Sequence, residues 1–127
     1  MKRLILTVIT FALLGCAHEE FRDARHEVEA GNEEEGLARM EQLLKENPKD
    51  TELRNYYQRH RAVAAQRYLR LGDNARASGQ LEQAEAAYQR AARFDPENAN
   101  AKAGLEALAG DKASVSLVQD AQAALKA

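Results

Sequence analysis

Apolar residues recur at helical spacing along most of this chain, and no stretch alternates with the period of two that predicts a strand. The first apolar stripe lies within residues 18–30. A second begins after Gly31 and extends towards Pro48, which cannot continue a helix. The pattern therefore predicts two helices joined by a turn at Gly31 and Asn32.

The apolar stripe that follows Pro48 is much longer. Neither Gly nor Pro occurs between Pro48 and Gly72, and the apolar and aromatic positions keep helical spacing throughout. We therefore predict one continuous helix over residues 51–78, on the order of 40 Å long at a rise of about 1.5 Å per residue. The alternative is two helices broken between residues 62 and 66, which no breaker residue supports.

A second hairpin is predicted where this long helix ends. Gly79 lies in the turn and can take the positive φ that ends a helix, and Pro96 stops the helix that follows. Gly72 and Ala84 are small at positions where two antiparallel helices approach closely. The residues expected to pack this hairpin are Tyr68, Leu71, Gly72, Ala84, Tyr88, Ala91 and Pro96.

Short polar residues stand where the predicted helices begin. Asn32, followed three residues later by Glu35, resembles a capping box. Asp50 or Thr51 can cap the long helix, and Asn98 can cap the helix after the second hairpin. These positions support the predicted helix boundaries.

Beyond the second hairpin the pattern predicts two shorter helices. The first runs from Asn98 to about Leu108, Gly110 and Asp111 are expected to break it, and the second begins at Ser114. Either this last helix is a terminal cap, or the chain is the front part of a longer protein. The apolar side of the helix carries Val115, Val118, Ala121 and Leu125.

Residues 65–98 resemble one repeat of the tetratricopeptide type, a helix–turn–helix unit of about 34 residues. The family pattern is Trp-x2-Leu-Gly-x2-Tyr, then Ala-x3-Phe, then Pro. This chain has Tyr68-x2-Leu71-Gly72-x2-Ala75, then Ala84-x3-Tyr88, then Pro96. Only Ala75, where the family has Tyr, is a real departure. The resemblance implies an all-α fold, a right-handed solenoid of helical hairpins, here with one elongated helix.

Residues 18–48 look like a degraded copy of the same unit. Pro48 aligns with Pro96, Gly31 with Gly79, Gly36 with Ala84, Met40 with Tyr88 and Leu43 with Ala91. The predicted organisation is a leader at 1–15 and a repeat domain at 16–127. Within the domain we expect a degenerate repeat at 18–48, a helical extension at 49–64, a clear repeat at 65–98 and a capping or incomplete repeat at 99–127.

The first fifteen residues read as a secretion signal. Lys2 and Arg3 precede an apolar stretch that is too short to span a bilayer, and it ends in Leu13-Leu14-Gly15-Cys16. This ending resembles the lipobox of bacterial lipoproteins. The resemblance implies that Cys16 is lipidated and becomes the new N-terminus, and that Ala17 directs the protein to the outer membrane. The alternative is an ordinary signal peptide with an incidental Cys.

The charge balance excludes a basic nucleic-acid footprint. The formal net charge is −2, or about −4 once Lys2 and Arg3 leave with the leader. The long helix is rich in Arg, whereas residues 19–35 are acidic. Two interpretations remain open, namely mutual neutralisation between neighbouring helices and a partner-binding surface.

The sequence carries no catalytic constellation. His18, His26 and His60 have no paired spacing, and His26 and His60 are expected on helix surfaces or in packing. Neither a Gly-rich phosphate loop nor a G-x-S-x-G motif occurs. We therefore expect no enzyme activity, no metal site and no cofactor.

In tetratricopeptide arrays the inner groove is lined by fixed positions of the first helix of each repeat. The resemblance places Gln66, Leu69, Asp73 and Arg76 at these positions. Leu69 and Asp73 are not the Lys and Asn with which some family members grip a terminal carboxylate. We expect Leu69 to face outward and the groove to bind an extended segment or a helix of another envelope protein.

The combination of a lipobox and a short repeat array resembles lipoproteins of Gram-negative bacteria. The closest likeness is to the N-terminal part of secretin-like proteins of the general secretion and type IV pilus systems. It implies a protein-interaction scaffold at the periplasmic face of the outer membrane, active in secretion or pilus assembly. The alternative is a structural N-terminal segment of a larger secretin-type pore. The sequence leaves the partner and the oligomeric state open.

Overall fold

The structure is a computed structural model, and it describes residues 19–126. These residues form five α-helices and contain no strand, so the predicted all-α fold class is confirmed. The leader and Cys16 lie outside the described residues. Helix α1 occupies residues 19–29, and the others are α2 at Glu33–Glu46, α3 at Thr51–Ala77, α4 at Leu81–Phe94 and α5 at Ala99–Ala124.

The chain divides into two compact units, Met1–His60 and Arg61–Ala127. The described part of the first unit contains α1, α2 and the start of α3, and the second contains the rest of α3 with α4 and α5. The boundary falls inside α3, which is unbroken from Thr51 to Ala77. The predicted continuous helix over 51–78 is therefore confirmed, and the two-helix alternative is wrong.

In the first unit, α1 packs closely against α2 at Gly36. A Cβ at this position would lie 2.6 Å from Cγ2 of Val28 and 2.7 Å from the carbonyl oxygen of Ala24, so the two helices approach too closely for any other residue. Phe21 is buried and packs edge-on against Tyr56, with ring centroids 5.8 Å apart. The buried apolar residues of this unit are Phe21, Ala24, Val28, Leu37, Met40, Leu43, Leu53 and Tyr57.

The second unit is built around Tyr88, which is only 1% exposed. A Cβ added at Gly72 of α3 or at Gly104 of α5 would come within 2.6 Å of the Tyr88 ring. The ring therefore fills a slot that two glycines leave open. The predicted close approach at Gly72 is confirmed. The buried residues around Tyr88 are Tyr68, Leu69, Ala75, Ala84, Ala91, Ala101 and Leu108.

Two of the residues predicted to pack the second hairpin are exposed. Leu71 is 49% exposed, whereas Leu69 is 5% exposed. Leu69 belongs to the same buried cluster as Ala101 and Leu108 of α5, so α5 covers the flank of α3 that was expected to be free. Pro96 is also exposed, although it follows the end of α4 as predicted.

The turns and most of the caps agree with the sequence. Gly31 and Gly79 have φ angles of 97° and 73°, values that glycine adopts readily. Asp50 accepts a hydrogen bond from the backbone N–H of Leu53 at 3.0 Å, which caps the start of α3. The predicted capping box is wrong, because the Asn32 side chain makes no capping hydrogen bond and its φ and ψ of −82° and 54° are not those of an extended N-cap.

Helix α5 is capped as expected but continues further than expected. The Asn98 side chain accepts hydrogen bonds from the backbone N–H groups of Asn100 and Ala101, both at 3.1 Å. The predicted break at Gly110 and Asp111 is wrong, because α5 runs unbroken from Ala99 to Ala124.

Two ion pairs explain the continuity of α5. Asp111 pairs with Arg76 of α3, and Lys112 pairs with Glu85 of α4, each at 2.6 Å. They hold the helix to both neighbours immediately after Gly110. Glycine lowers helix stability by about 1 kcal/mol relative to Ala but, unlike proline, keeps its N–H.

The two hairpins have the same pattern of backbone hydrogen bonds. Each donor and acceptor of the second hairpin lies 48 residues after its counterpart in the first. The N–H of Gly31 donates to the carbonyl of Val28, and the N–H of Gly79 donates to the carbonyl of Arg76. The same correspondence continues through both turns, both ends of the second helices and both starts of the helices that follow. The paired donors are Ala30 and Ser78, Asn32 and Gln80, Gly36 and Ala84, Asn47 and Asp95, Asp50 and Asn98, and Arg54 and Lys102.

Candidate partner-binding surface

The four residues predicted to line a partner groove lie on the part of α3 that belongs to the second unit. Gln66 and Asp73 are exposed and Arg76 is partly buried. The expectation that Leu69 faces outward is wrong, because it is buried and belongs to the same cluster as Ala101 and Leu108 of α5. The hairpin pattern predicts only α4 as a neighbour of α3, whereas residues of α3, α4 and α5 share one buried cluster in the structure.

Asp73 holds α4 to α3. It accepts a hydrogen bond of 2.7 Å from the hydroxyl of Tyr88. Burial, together with this bond to a carboxylate, raises the pKa of Tyr88 to about 12, so the hydroxyl stays protonated and remains a donor. Asp73 therefore has a packing role inside the second unit.

Arg76 holds α5 to α3. Its Nε donates to Oδ2 of Asp111 at 2.6 Å, and its Nη2 lies 3.4 Å from Oδ1 of the same carboxylate. The bond raises the pKa of Arg76 and lowers the pKa of Asp111, so both groups keep their charge at neutral pH. Leu69, Asp73 and Arg76 are thus engaged within the second unit. Of the four predicted groove residues, Gln66 is left, and it is exposed.

The structure instead exposes an apolar surface between α3 and α4, which we call the α3–α4 hollow. Leu71, an apolar side chain of α3 that is half exposed, is among the residues that line it. The hollow has a volume of about 310 Å³ and opens to solvent. Its lining residues are Tyr68, Leu71, Ala75, Gln83, Ala86, Ala87 and Arg90.

Arginine side chains border this hollow. The guanidinium carbon of Arg90 lies 5.5 Å from the centre of the Tyr68 ring, and that of Arg67 lies 5.0 Å from it. Cations held over an aromatic face are partly fixed in place. The Tyr68 ring also stacks on Phe94, with centroids 5.7 Å apart. The hollow therefore combines an apolar floor with a positively charged border.

A second open hollow adjoins the first along α4. It has a volume of about 620 Å³ and shares Ala86 and Arg90 with the α3–α4 hollow. Small side chains on the outer side of α4 leave room for both, because Ala86 and Ala92 project little from the helix. The other residues of this second hollow are Gln89, Arg93 and Leu105.

The sequence contains a signal for this surface that the motif obscured. Leu69 and Leu71 are two residues apart and so lie about 200° apart around a helix. One helical neighbour cannot bury both side chains. The tetratricopeptide pattern assigned packing to Leu71, whereas the position of α5 gives that role to Leu69.

An aromatic cluster in the first unit accounts for one of the histidines. His60 stacks on Tyr56 with ring centroids 4.1 Å apart, and Arg25 lies 5.3 Å from the centre of the same ring. Burial raises the pKa of the Tyr56 hydroxyl. The predicted packing role of His60 is confirmed, and the cluster contains no nucleophile paired with a base.

Residues 19–126 contain no group of three or more His, Cys, Asp or Glu side chains arranged to hold a metal ion. No helix in this described part of the chain is long and apolar enough to cross a membrane. A scan of protein-family models, a search of curated proteins and a search of solved structures each found no match to this chain.

Proposed function

We propose that this protein is a non-enzymatic scaffold that binds a segment of another envelope protein. The observation that carries the proposal is the α3–α4 hollow, in which Leu71 is exposed beside Arg90. The helices around it are held by Tyr88 and by the ion pairs of α5, so the surface does not have to form on binding. A preorganised surface loses less conformational entropy when a partner docks.

The chemistry of the hollow defines the partner segment. Leu71, Tyr68 and the alanines of α4 offer apolar contact, and the Arg90 and Arg67 side chains add positive charge. An amphipathic or extended segment with apolar anchors and neighbouring Asp or Glu residues complements this surface. Apolar contact supplies most of the affinity, and the charges favour the correct orientation.

The repeat architecture that we propose is a tetratricopeptide-like right-handed solenoid. Two features support it, namely the recurrence of the hairpin hydrogen bonds at 48 residues and the small residues Gly36, Gly72 and Ala84 at the helix approaches. Repeat domains of this kind bind partners through surfaces that run across several helices.

The proposed location is the periplasmic face of the outer membrane. Its support is the sequence Leu13-Leu14-Gly15-Cys16 at the end of a charged and apolar leader. Two or more acyl chains on Cys16 would provide stable anchoring. Protein secretion or pilus assembly is the proposed setting, because the combination of lipobox and repeats resembles the N-terminal part of secretin-like proteins.

Site-specific photo-crosslinking tests the binding surface. A benzophenone amino acid replaces Leu71 in the full-length protein, and cells are irradiated. We expect one discrete adduct with an envelope protein, because the side chain at position 71 lies in the hollow. Arg90→Glu in the same protein should remove the adduct by reversing the charge of the border.

The matched control carries the benzophenone at Val63, which is 57% exposed on the same helix and does not line the hollow. Crosslinking of the same partner with equal efficiency from positions 63 and 71 would contradict the proposed surface. So would an adduct from position 71 that persists unchanged with Arg90→Glu.

A further inference from the structure

The C-terminal part of α5 is an apolar helix surface that nothing covers in this structure. We call residues 113–126 the α5 tail, and every residue of the tail is exposed. Val118 is 56% and Leu125 88% exposed. Contiguous apolar side chains on a helix are usually buried by another element. The stripe consists of Val115, Val118, Ala121 and Leu125, with Leu117 on its flank.

The α5 tail is nearly free of charge. Asp120 and Lys126 are its only charged side chains, although 30% of the whole chain is charged. Asp120 is two residues from Val118 and so lies about 200° around the helix from it. Depletion of charge from an exposed apolar stripe is the composition of an interface core.

Another copy of the repeat would not cover this stripe. At the 48-residue offset, Val115 and Val118 correspond to Arg67 and Arg70 of α3, which are exposed. Leu69, which is buried, corresponds to Leu117 on the flank of the stripe, but the other residues that α3 buries there correspond to the opposite side of the tail. Those buried residues are Tyr68, Gly72 and Ala75, and their counterparts are Ser116, Asp120 and Ala123.

We propose that the α5 tail pairs with the α5 tail of a second copy of this chain in an antiparallel, two-fold symmetric dimer. The stripe is self-complementary about an axis between Val118 and Ala121. In that register Val118 of each copy faces Ala121 of the other, and Leu125 faces Ser114. Large residues opposite small ones let two helices interlock, and a two-fold dimer uses the same surface on both copies.

On the flanks, one of the two pairs again places a large residue opposite a small one. Leu117 of each copy faces Ala124 of the other, and Val115 faces Gln122. No charged side chain enters the contact, because Asp120 points away from the axis and Lys126 lies beyond it. The register therefore needs no buried ion pair, and it leaves no charge unpartnered.

The size of the contact sets its strength. The tail offers about four helical turns, or about 20 Å of helix. A single helix pair of this length buries less than the ~1,200 Å² of standard stable interfaces. The dimer is therefore concentration-dependent. Confinement of both copies to one membrane surface would raise their effective concentration and favour it.

Disulfide trapping in the full-length protein tests the register. Two tagged copies are co-expressed, one with Ser114→Cys and the other with Leu125→Cys, and membranes are oxidised. We expect the mixed disulfide between the two tags. Each variant expressed alone should give none, because its two Cys residues would be about 16 Å apart along the axis, far beyond disulfide reach.

The matched control pair is Ser116→Cys with Ala123→Cys. It has the same antiparallel register but lies on the opposite side of the tail, so it should not crosslink. Val118→Glu should abolish the mixed disulfide, whereas Ser116→Glu should preserve it. Both substitutions fall on exposed positions, and circular dichroism verifies that the fold is intact.

Three results overturn the proposal. The first is the absence of the mixed disulfide in a folded protein, and the second is homodisulfides as abundant as the mixed one, which indicate parallel pairing. The third is a mixed disulfide that withstands Val118→Glu. The dimer does not depend on the α3–α4 hollow, so this experiment and the photo-crosslinking at position 71 can fail separately.

Discussion

Tyr88 joins three helices through a single side chain. Its ring lies against Gly72 of α3 and Gly104 of α5, and its hydroxyl donates to Asp73. The hydroxyl has a partner in an otherwise apolar slot, so burying it does not cost the free energy of an unpaired polar group. The space left by the missing side chains of Gly72 and Gly104 thus determines where the fully buried Tyr88 ring can lie.

Gly72→Ala should destabilise the second unit. The added Cβ would lie 2.6 Å from the Tyr88 ring, and a Cβ at Gly104 would come equally close to the same ring atoms, so the ring has little room to move. Overpacking costs about 1–3 kcal/mol, against a helix-propensity gain of up to about 1 kcal/mol. We expect a net loss of about 1–2 kcal/mol and a Tm several degrees lower, measured by thermal unfolding with circular dichroism. A Tm at or above that of the wild type would show that the slot has spare room.

Leu69 and Leu71 mark the limit of reading single residues from a motif. The spacing identified Gly72, Ala84, Tyr88 and Ala91 as packing residues, and all four are buried. These residues depend on the hairpin itself, which is local in sequence. Burial of Leu69 depends instead on α5, whose contact with α3 joins residues far apart in the chain. For this reason the apolar side chain exposed at the candidate surface is Leu71, whereas Leu69 was predicted.

At the scale of the element, helix boundaries were predictable wherever a residue forbids continuation. Helices α2, α3 and α4 each end two residues before Pro48, Gly79 and Pro96 respectively. Each of these helices lies close to its predicted range. The error in α5 came from treating Gly110 as a breaker of the same kind. Glycine only weakens a helix, and the ion pairs of Asp111 and Lys112 fix α5 against α3 and α4 immediately after Gly110.

Gly110→Ala should therefore stabilise the protein. Gly110 lies inside α5, and a Cβ there would meet no atom within 4 Å. The substitution gains helix propensity of up to about 1 kcal/mol without a clash. We expect a modest rise in Tm and in helical ellipticity. This variant is also the matched control for Gly72→Ala, since both replace a helical glycine and only one of them faces the Tyr88 ring. A fall in Tm would mean that the helix needs a flexible point at position 110.

At the scale of the whole molecule, several charges of the described residues form ion pairs inside their own unit. Glu27 pairs with Arg39 in the first unit, and Asp111 pairs with Arg76 in the second. Of the arginines on the Arg-rich α3, Arg76 is neutralised in this way by the neighbouring helix α5. Both pairs are substantially exposed, so they fix geometry more than they add stability. The border of the α3–α4 hollow remains the place where positive charge adjoins apolar surface.

The proposed anchor predicts how the whole protein fractionates. Cys16→Ser should abolish lipid attachment, so the protein should leave the membrane fraction or accumulate with its leader uncleaved. The measurement is membrane fractionation with mass determination of the N-terminal peptide. Cys16→Ser protein that fractionates and migrates like the wild type would contradict the lipoprotein proposal. The same result would leave the α3–α4 hollow and the α5 tail untouched, because neither depends on the leader.

The slot around Tyr88 has a consequence for motion. Aromatic rings in proteins can rotate by half a turn about the Cβ–Cγ bond, but a ring wedged between Gly72 and Gly104 sweeps into backbone on both sides. Its rotation must wait until α3 and α5 part, whereas the hydroxyl oxygen lies on the rotation axis and can keep its hydrogen bond to Asp73. In a nuclear magnetic resonance spectrum the two edges of the ring should then give separate signals, because exchange between them is slowed to the timescale of collective helix movement. The two signals should merge on warming. The exchange rate obtained from this merging then measures how often the helices of the second unit separate around the ring.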